Sequence, residues 1–433
     1  MTRPRTPDAP GTSAVPGAAL GGPVTAPVSF AVVGGFLGAG KTTTLAALTR
    51  ELRARGRRVA LVANDQGDDL VDTRLAEAAA GWAGEVTGGC FCCRFEDLLD
   101  VVTRAVEEYG ADTVLAEAVG SCTDLQATVV RPLRQRYGTR FRVAPLLTVV
   151  DPARFAALGR AGEADLAYLF DRQLADADVI ALNKADAVDP ALSAAVRTAL
   201  ASLHPGRPLL TYSARTGTGL PALAETLTGP ADAVRHPAPA DPTAPAGPAV
   251  HADSAAPATP RVTAAPGASA GRDRDRDLVI DYDRYAAAEA RLAWLNHTAE
   301  VRAPHSAAGF PSARWAATLL AELTAGAALV GHVKVHLTAP DGRTTKASAV
   351  GDGRAPAVDA DGGAMRSAQA VVNARLACPA AELDAALAAA VRAADAAAGA
   401  ATTAAAPPAA FHPACPRPVH RLPATAPPPV TSR

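Results

Sequence analysis

The stretch GFLGAGKT, Gly35 to Thr42, decides the fold. It has the spacing G-x-x-x-x-G-K-[ST], and it lies between a valine-rich run, SFAVVG (29–34), and a segment whose Leu45, Leu48 and Leu52 recur on one helical face. Strand, glycine loop and helix in that order make a phosphate cradle. The glycines let backbone N–H groups wrap the anion, and the helix N-terminus adds its dipole. Gly35, Gly38, Ala39, Gly40 and Thr43 are expected to frame the phosphates, Lys41 to reach the β- and γ-phosphates, and Thr42 to ligate Mg2+. A glycine-rich turn without a ligand is the plain alternative, and the flanking strand and helix favour the cradle.

Outward from this loop, RVALVA (58–63), TVLAEA (113–118), LLTVVD (146–151) and DVIALN (178–183) are further short apolar runs, each followed by a polar or helical stretch. The alternation predicts an α/β fold: a P-loop NTPase with a mainly parallel sheet, helices on both faces, and ligands at the carboxyl ends of strands. NKAD, Asn183 to Asp186, follows one such strand. The Asp186 carboxylate can accept from both N1–H and the exocyclic amine of guanine, a donor pair that adenine lacks, which favours GTP over ATP. Asn183, Lys184 and Ser213 of the SAR stretch after PLLTYS are expected beside it. Between these motifs lies EAVG, in which Glu117 can bind magnesium through water or orient the attacking water, and Gly120 can touch the γ-phosphate.

The 433 residues carry 42 basic and 43 acidic groups, so no basic footprint for nucleic acid is present. The charge-free run from Ala9 to Gly40 is too rich in glycine and proline for a membrane span or export signal, and a reducing cytoplasmic setting is expected. Alanine- and proline-rich segments at 1–27, 228–277 and 402–433 read as a disordered tail, a flexible linker and a second disordered tail. They leave a GTPase domain over 28–227 and a smaller α+β domain over 278–401.

GGCFCC, residues 88–93, places three of the six cysteines in four positions. Thiolates suit zinc and neighbouring divalent metals, and in an extended segment Cys90 and Cys92 point to one side while Cys93 points elsewhere or joins through a turn. Three thiolates leave a tetrahedral ion one position short, which suits hand-over. Redox chemistry and plain packing are the alternatives. Asp65, or another acid of NDQGDDLVD (64–72), is a further candidate metal ligand, as part of a loop that responds to the γ-phosphate. Cys122, two residues past Gly120, could approach the metal site in one nucleotide state, with packing as the plainer reading, and His412, Cys415 and His420 read as residues of an extended tail.

In this order, GFLGAGKTT, Asn64-Asp65, GGCFCC, Glu117-x-x-Gly120 and NKAD resemble the CobW-type metallochaperone GTPases of the CobW/HypB/UreG group. The resemblance covers the first 200 or so residues. It implies GTP hydrolysis coupled to delivery of a divalent transition metal, Zn2+ or Co2+, to a client metalloprotein or cofactor-assembly protein. Cys90, Cys92 and Cys93 would hold the cargo, and a homodimer is a possible assembly. The alternatives are a nickel-insertion GTPase and a nucleotide-gated zinc sensor that transfers nothing.

The family's usual C-terminal pattern is absent. DYDRYAAAEARLAWLN predicts one helix through Tyr285, Glu289, Leu292 and Leu295, and PSARWAATLLAEL and PAAELDAALAAAVRAA predict two more. GHVKVHL and SAQAVVNARL predict strands. In the first of these, His332, Lys334 and His336 share a face that could serve as a partner-binding or anion-binding row, with a solvated sheet face as the expectation.

Overall fold

A computed structural model describes residues 26–64, 81–158, 164–229, 277–325, 327, 329–351, 355–408 and 410–424. Asp65 to Asp72 of NDQGDDLVD, residues 1–25 of the tail expected over 1–27 and residues 230–276 of the linker expected over 228–277 lie outside the described residues.

Eight strands form the first sheet: β1 (Val28–Gly34), β2 (Val59–Asn64), β3 (Ala83–Val86), β4 (Thr113–Glu117), β5 (Phe141–Val143), β6 (Leu147–Val150), β7 (Val179–Leu182) and β8 (Leu209–Thr211). Every pairing in it is parallel, in the order β3-β2-β4-β1-β6-β7-β8, with β5 beside β1. All seven residues of β1 are buried, as a strand covered by helices on both faces requires. The chain runs to β4 on one side of β1 and to β6 on the other, so the glycine loop leaves the sheet where the strand order reverses, the position at which such folds bind ligands. The register Val33↔Glu117 sets Glu117 at the mouth of that loop. Neither β3, AGEV, nor β5, FRV, was legible by pattern, because each is too short to show an alternation.

The second sheet is antiparallel, in the order β13-β12-β11-β15-β9-β16. Its strands are β9 (Ala293–Arg302), β11 (Val330–Thr338), β12 (Thr344–Val350), β13 (Ala357–Ala360), β15 (Ser367–Leu376) and β16 (Ala401–Ala404), with a small pair of β10 (Phe310–Pro311) and β14 (Ala364–Met365) beside it. Helices Ser312–Thr324 and Ala380–Ala398 cover one face, where Leu319, Leu320, Leu383 and Leu387 share a core with Val333, Val335 and Leu337.

Four expectations are corrected. The helix begun at Tyr282 ends at Ala290, and Leu292 and Leu295 belong to the approach to β9 and to β9 itself, where the run AWLNHTAEVR favours a strand. That helix packs on the first domain: its Tyr285 and Ala288, with Leu292 and Trp294 beyond its end, join the first domain's core, although all four fall in the unit expected from 278. His332 and His336 are buried, not solvated, because their face of β11 turns toward the first domain.

The fourth concerns the segment from 402, expected to be disordered. After β16, Phe411 exchanges two 2.8 Å backbone bonds with Trp294, and the chain returns to the first domain, where Val419 N–H donates to Cys92 O and Leu422 N–H to Ala127 O, both at 2.8 Å. Prolines carry no N–H, so this extended strap has few donors to satisfy and a handful of bonds anchors it.

Candidate functional site

The loop after β1 is built by backbone that only glycine adopts readily. Gly35 and Gly40 have φ of 129° and 94°, and a Cβ would lie 2.3 Å from Val149 O at the first and 2.5 Å from Asn183 Nδ2 at the second. Lys41, the first residue of the helix Lys41–Ala54, is buried and donates to Gly35 O at 3.0 Å, with Glu117 Oε1 3.9 Å away. Thr42 Oγ1 donates to the same Glu117 oxygen at 3.1 Å. A hydroxyl and a carboxylate converging beside the cradle are the hard-oxygen set that Mg2+ prefers, so the residues present fit that ion. Gly120 packs beneath the loop, where a Cβ would meet Leu37 at 2.5 Å.

At the other end of the cleft, Asn183 ties two motifs together. Its Nδ2 donates to Ala39 O in the phosphate loop, and its Oδ1 accepts from Ala214 N–H, each at 3.0 Å. Lys184 holds a left-handed backbone at φ 62° and reaches Asp151 at 2.6 Å. Asp186 accepts from Ser213 Oγ and pairs with Arg215, both at 2.6 Å. Burial pushes its carboxyl up, but the Ser213 bond and Arg215 outweigh that, and the group sits below the usual carboxylate range. A charged carboxylate whose second partner is an exposed arginine can exchange that partner for a base edge. Glu117, Gly120, Gly38, Gly40, Lys41, Thr42, Thr43, Asn183, Lys184 and Asp186 all line one cleft of about 500 Å3. Gly35 and Ala39 support it from behind, and Ser213 acts on it through Asp186.

The cysteines lie beyond the next strand ends. Cys93 N–H and Arg94 N–H both donate to Cys90 O at 2.9 Å, so the segment turns instead of extending, and the turn brings Cys93 back to the other two. The sulfurs of Cys90 and Cys92 are 2.7 Å apart, those of Cys90 and Cys93 3.3 Å, and those of Cys92 and Cys93 3.8 Å. A tetrahedral zinc with Zn–S of about 2.3 Å separates its thiolates by about 3.8 Å, so a small spreading of Cys90 fits the trio to that ion. Asn64, the last residue of β2, holds this loop: its Nδ2 donates to Val86 O and Gly89 O, and its Oδ1 accepts from Phe91 N–H. Asn64 also lines the cleft of the phosphate loop.

Cys122, whose place two residues past Gly120 marked it as able to approach the metal site, is a fourth buried thiol beside the turn; Cys90 and Cys92 pull it down to about 6, whereas Cys122, Cys90 and Cys93 push Cys92 well up. Behind it, Ser121 Oγ donates to the buried Glu289, whose carboxyl burial raises to about 7. From the front, Arg417 N–H of the strap donates to Cys93 Sγ at 3.1 Å, and the His420 ring packs on Phe95. Two residues of the second sheet, Lys346 and Arg375, were missed; with His332 and Lys334 of the GHVKVHL row they form a wall of the same cleft.

Residues 29–211 match the nucleotide-binding domain family described as CobW/HypB/UreG. The chain is 31% identical over 225 residues to the zinc chaperone CobW of Pseudomonas aeruginosa, a match covering 44% of this chain and 58% of that protein. It is 30% identical over 210 residues to the zinc chaperone CobW of a Sinorhizobium species, covering 41% and 57%. The matched region thus spans less than two thirds of either relative. Among solved structures, the Zn(II)-bound YjiA GTPase from E. coli aligns over 84% of this chain and 98% of its own at 16% identity, with a TM-score of 0.33.

Proposed function

We propose, from a chain whose residues 29–211 match the CobW/HypB/UreG nucleotide-binding family, that the protein hydrolyses GTP and carries a divalent metal ion, zinc before cobalt, which it passes to a client metalloprotein or cofactor-assembly protein. Lys41 and the loop N–H groups bind the phosphates, Asp186 reads guanine, and Thr42 with Glu117 would hold Mg2+, which when bound neutralises charge on the β- and γ-phosphate oxygens. Water attacks the γ-phosphorus, the bond to the β–γ bridging oxygen breaks, and GDP and inorganic phosphate leave. Glu117 is the one carboxylate beside Thr42 and Lys41 among the described residues of the cleft's phosphate end, and it is the group suited to orienting that water.

Cys90, Cys92 and Cys93 hold the cargo. Soft sulfur donors rank zinc above magnesium there, while the oxygen set of Thr42 and Glu117 does the reverse, so the two ions do not compete for one place. The observation that carries the reading is Asn64: one side chain lines the nucleotide cleft and fastens the cysteine turn through three hydrogen bonds. A nucleotide that shifts the end of β2 shifts the thiols.

Zinc titration of the purified protein with GDP or a non-hydrolysable GTP analogue tests this. The wild type should bind zinc with different affinity in the two nucleotide states, and a Cys90/Cys92/Cys93 triple serine variant should lose the site. Equal affinities would remove the coupling, since a ligand without differential affinity shifts no equilibrium. A variant that binds zinc as the wild type does would sink the ligand assignment. A loaded protein that keeps its ion through turnover in the presence of apo-clients would favour the sensor.

A further inference from the structure

We propose that the polar face of the second sheet is the far wall of the nucleotide site, and that Lys334 on β11 binds the γ-phosphate, so that this domain distinguishes triphosphate from diphosphate. The proposal rests on reading the cleft as a guanine-nucleotide site. Three observations carry it.

The first is contact. A Cβ at Gly38 would lie 2.8 Å from Val350 Cγ1 and 3.1 Å from Gly331 O, and one at Gly331 would lie 3.0 Å from Leu37 Cδ1. The starts of β11 and the end of β12 therefore rest directly on the phosphate loop. Arg154, buried in the helix Pro152–Leu158, locks the joint by donating to Val330 O at 2.8 Å and Gly331 O at 2.7 Å.

The second is position along the cleft. The base end is marked by Asn183 and Asp186, and the sheet closes the opposite end, over Leu37 and Gly38. That is the end where Lys41 and Glu117 attend the terminal phosphate. Lys334 stands three residues after Gly331, on the same face as His332, and both line the cleft.

The third is charge. His332 is buried among Lys334, Arg375, Lys41 and Arg154, and burial first, then these four cations, holds its imidazole well below the ordinary value. Among the described residues that line the cleft, the acids are Glu117, already serving Lys41 and Thr42, Asp186 at the base end, paired with Arg215, and Asp359, 4.0 Å from Lys346. Arg375 is stacked 4.1 Å from the Trp294 ring centroid and bonded to Leu295 O and Asn296, so its head is committed to the sheet. A part-buried pocket with this surplus of positive charge suits a polyanion, and Lys334 is the flexible cation placed to meet it.

The test compares binding of GDP and of a non-hydrolysable GTP analogue to the wild type, Lys334→Met and Lys334→Arg. Loss of one charged contact in such a site predicts that Lys334→Met binds the analogue about tenfold more weakly while GDP binding moves less than about threefold, and that Lys334→Arg keeps the preference. An equal change for both nucleotides, or none, overturns the assignment of Lys334. In the wild type, a GTP carrying a photoreactive azidoanilide on its γ-phosphate should label a peptide within residues 330–350. Labelling confined to the first domain would overturn the proposal whatever the variants do. A wild type that binds neither nucleotide refutes the guanine-nucleotide reading itself, which separates the two failures.

Discussion

At the scale of single residues, two carboxylates with opposite environments give opposite predictions. Asp186 is held charged by Ser213 and Arg215, and its value lies in its charge. Asp186→Asn puts an amide donor where guanine needs an acceptor, and should cost GTP binding on the order of a thousandfold or more. The same change should admit xanthosine triphosphate, whose C2 carbonyl can accept from that amide; competition binding with the two nucleotides checks it. Asp176 is the reverse case. Burial, with Asp124 nearby, raises its carboxyl to about 7, and Gln126 N–H donates to it at 3.3 Å. Between about pH 4 and pH 7 the folded form keeps a proton that the unfolded chain has released, so this group's contribution to stability falls as pH rises through that window. Asp176→Asn keeps an acceptor without the charge and should stabilise by on the order of 1–2 kcal/mol at pH 8, with little effect at pH 5. Thermal melting at the two pH values decides it. Asp186 announced itself by motif, whereas nothing around Asp176 in the chain predicts its burial, because its charged neighbour Asp124 arrives from fifty-two positions earlier.

Among the elements, the strap from Phe411 to Leu422 is the one that sequence reasoning placed worst. Its proline content does rule out a helix or an internal strand, and composition alone cannot separate an extended segment bound to a surface from one bound to nothing. What binds it is specific: Arg421 Nε donates to Asp124 at 2.8 Å, Arg131 reaches Leu422 O at 2.9 Å, and two strap N–H groups meet the cysteine turn. Removing residues 411–433 should therefore speed the reaction of Cys93 with a thiol reagent in the metal-free protein and shorten the residence time of bound zinc. Unchanged rates for both would mean that the strap does not cover the site. The strand, glycine loop and helix around GFLGAGKT, by contrast, stand where they were expected, since apolar run, glycine spacing and helical periodicity are all local features. The cysteine turn was half legible: the residue types named the chemistry, but the bonds of Cys93 and Arg94 to Cys90 O, which gather the sulfurs, depend on where Asn64 anchors the loop.

For the whole molecule, the parallel sheet with its nucleotide-binding edge followed from alternation of short apolar runs, and the α+β character of the second unit from its strands and helices. The relation between the two units did not follow. The alternation in β11 shows that His332, Lys334 and His336 share a face, yet whether that face meets water or protein is fixed by Gly331 and Val350 fitting against Gly38, which are separated from it by some three hundred positions. No helix among the described residues is long and apolar enough to cross a membrane. The path of the chain carries one further consequence. It leaves the first domain, builds the second sheet, and comes back to bind across the cysteines, so the two units are clasped at both ends of the C-terminal half. On the proposed function, a swing that opens the cleft would tighten or peel the returning strand of chain, and release of GDP and uncovering of the thiols would be two ends of one lever.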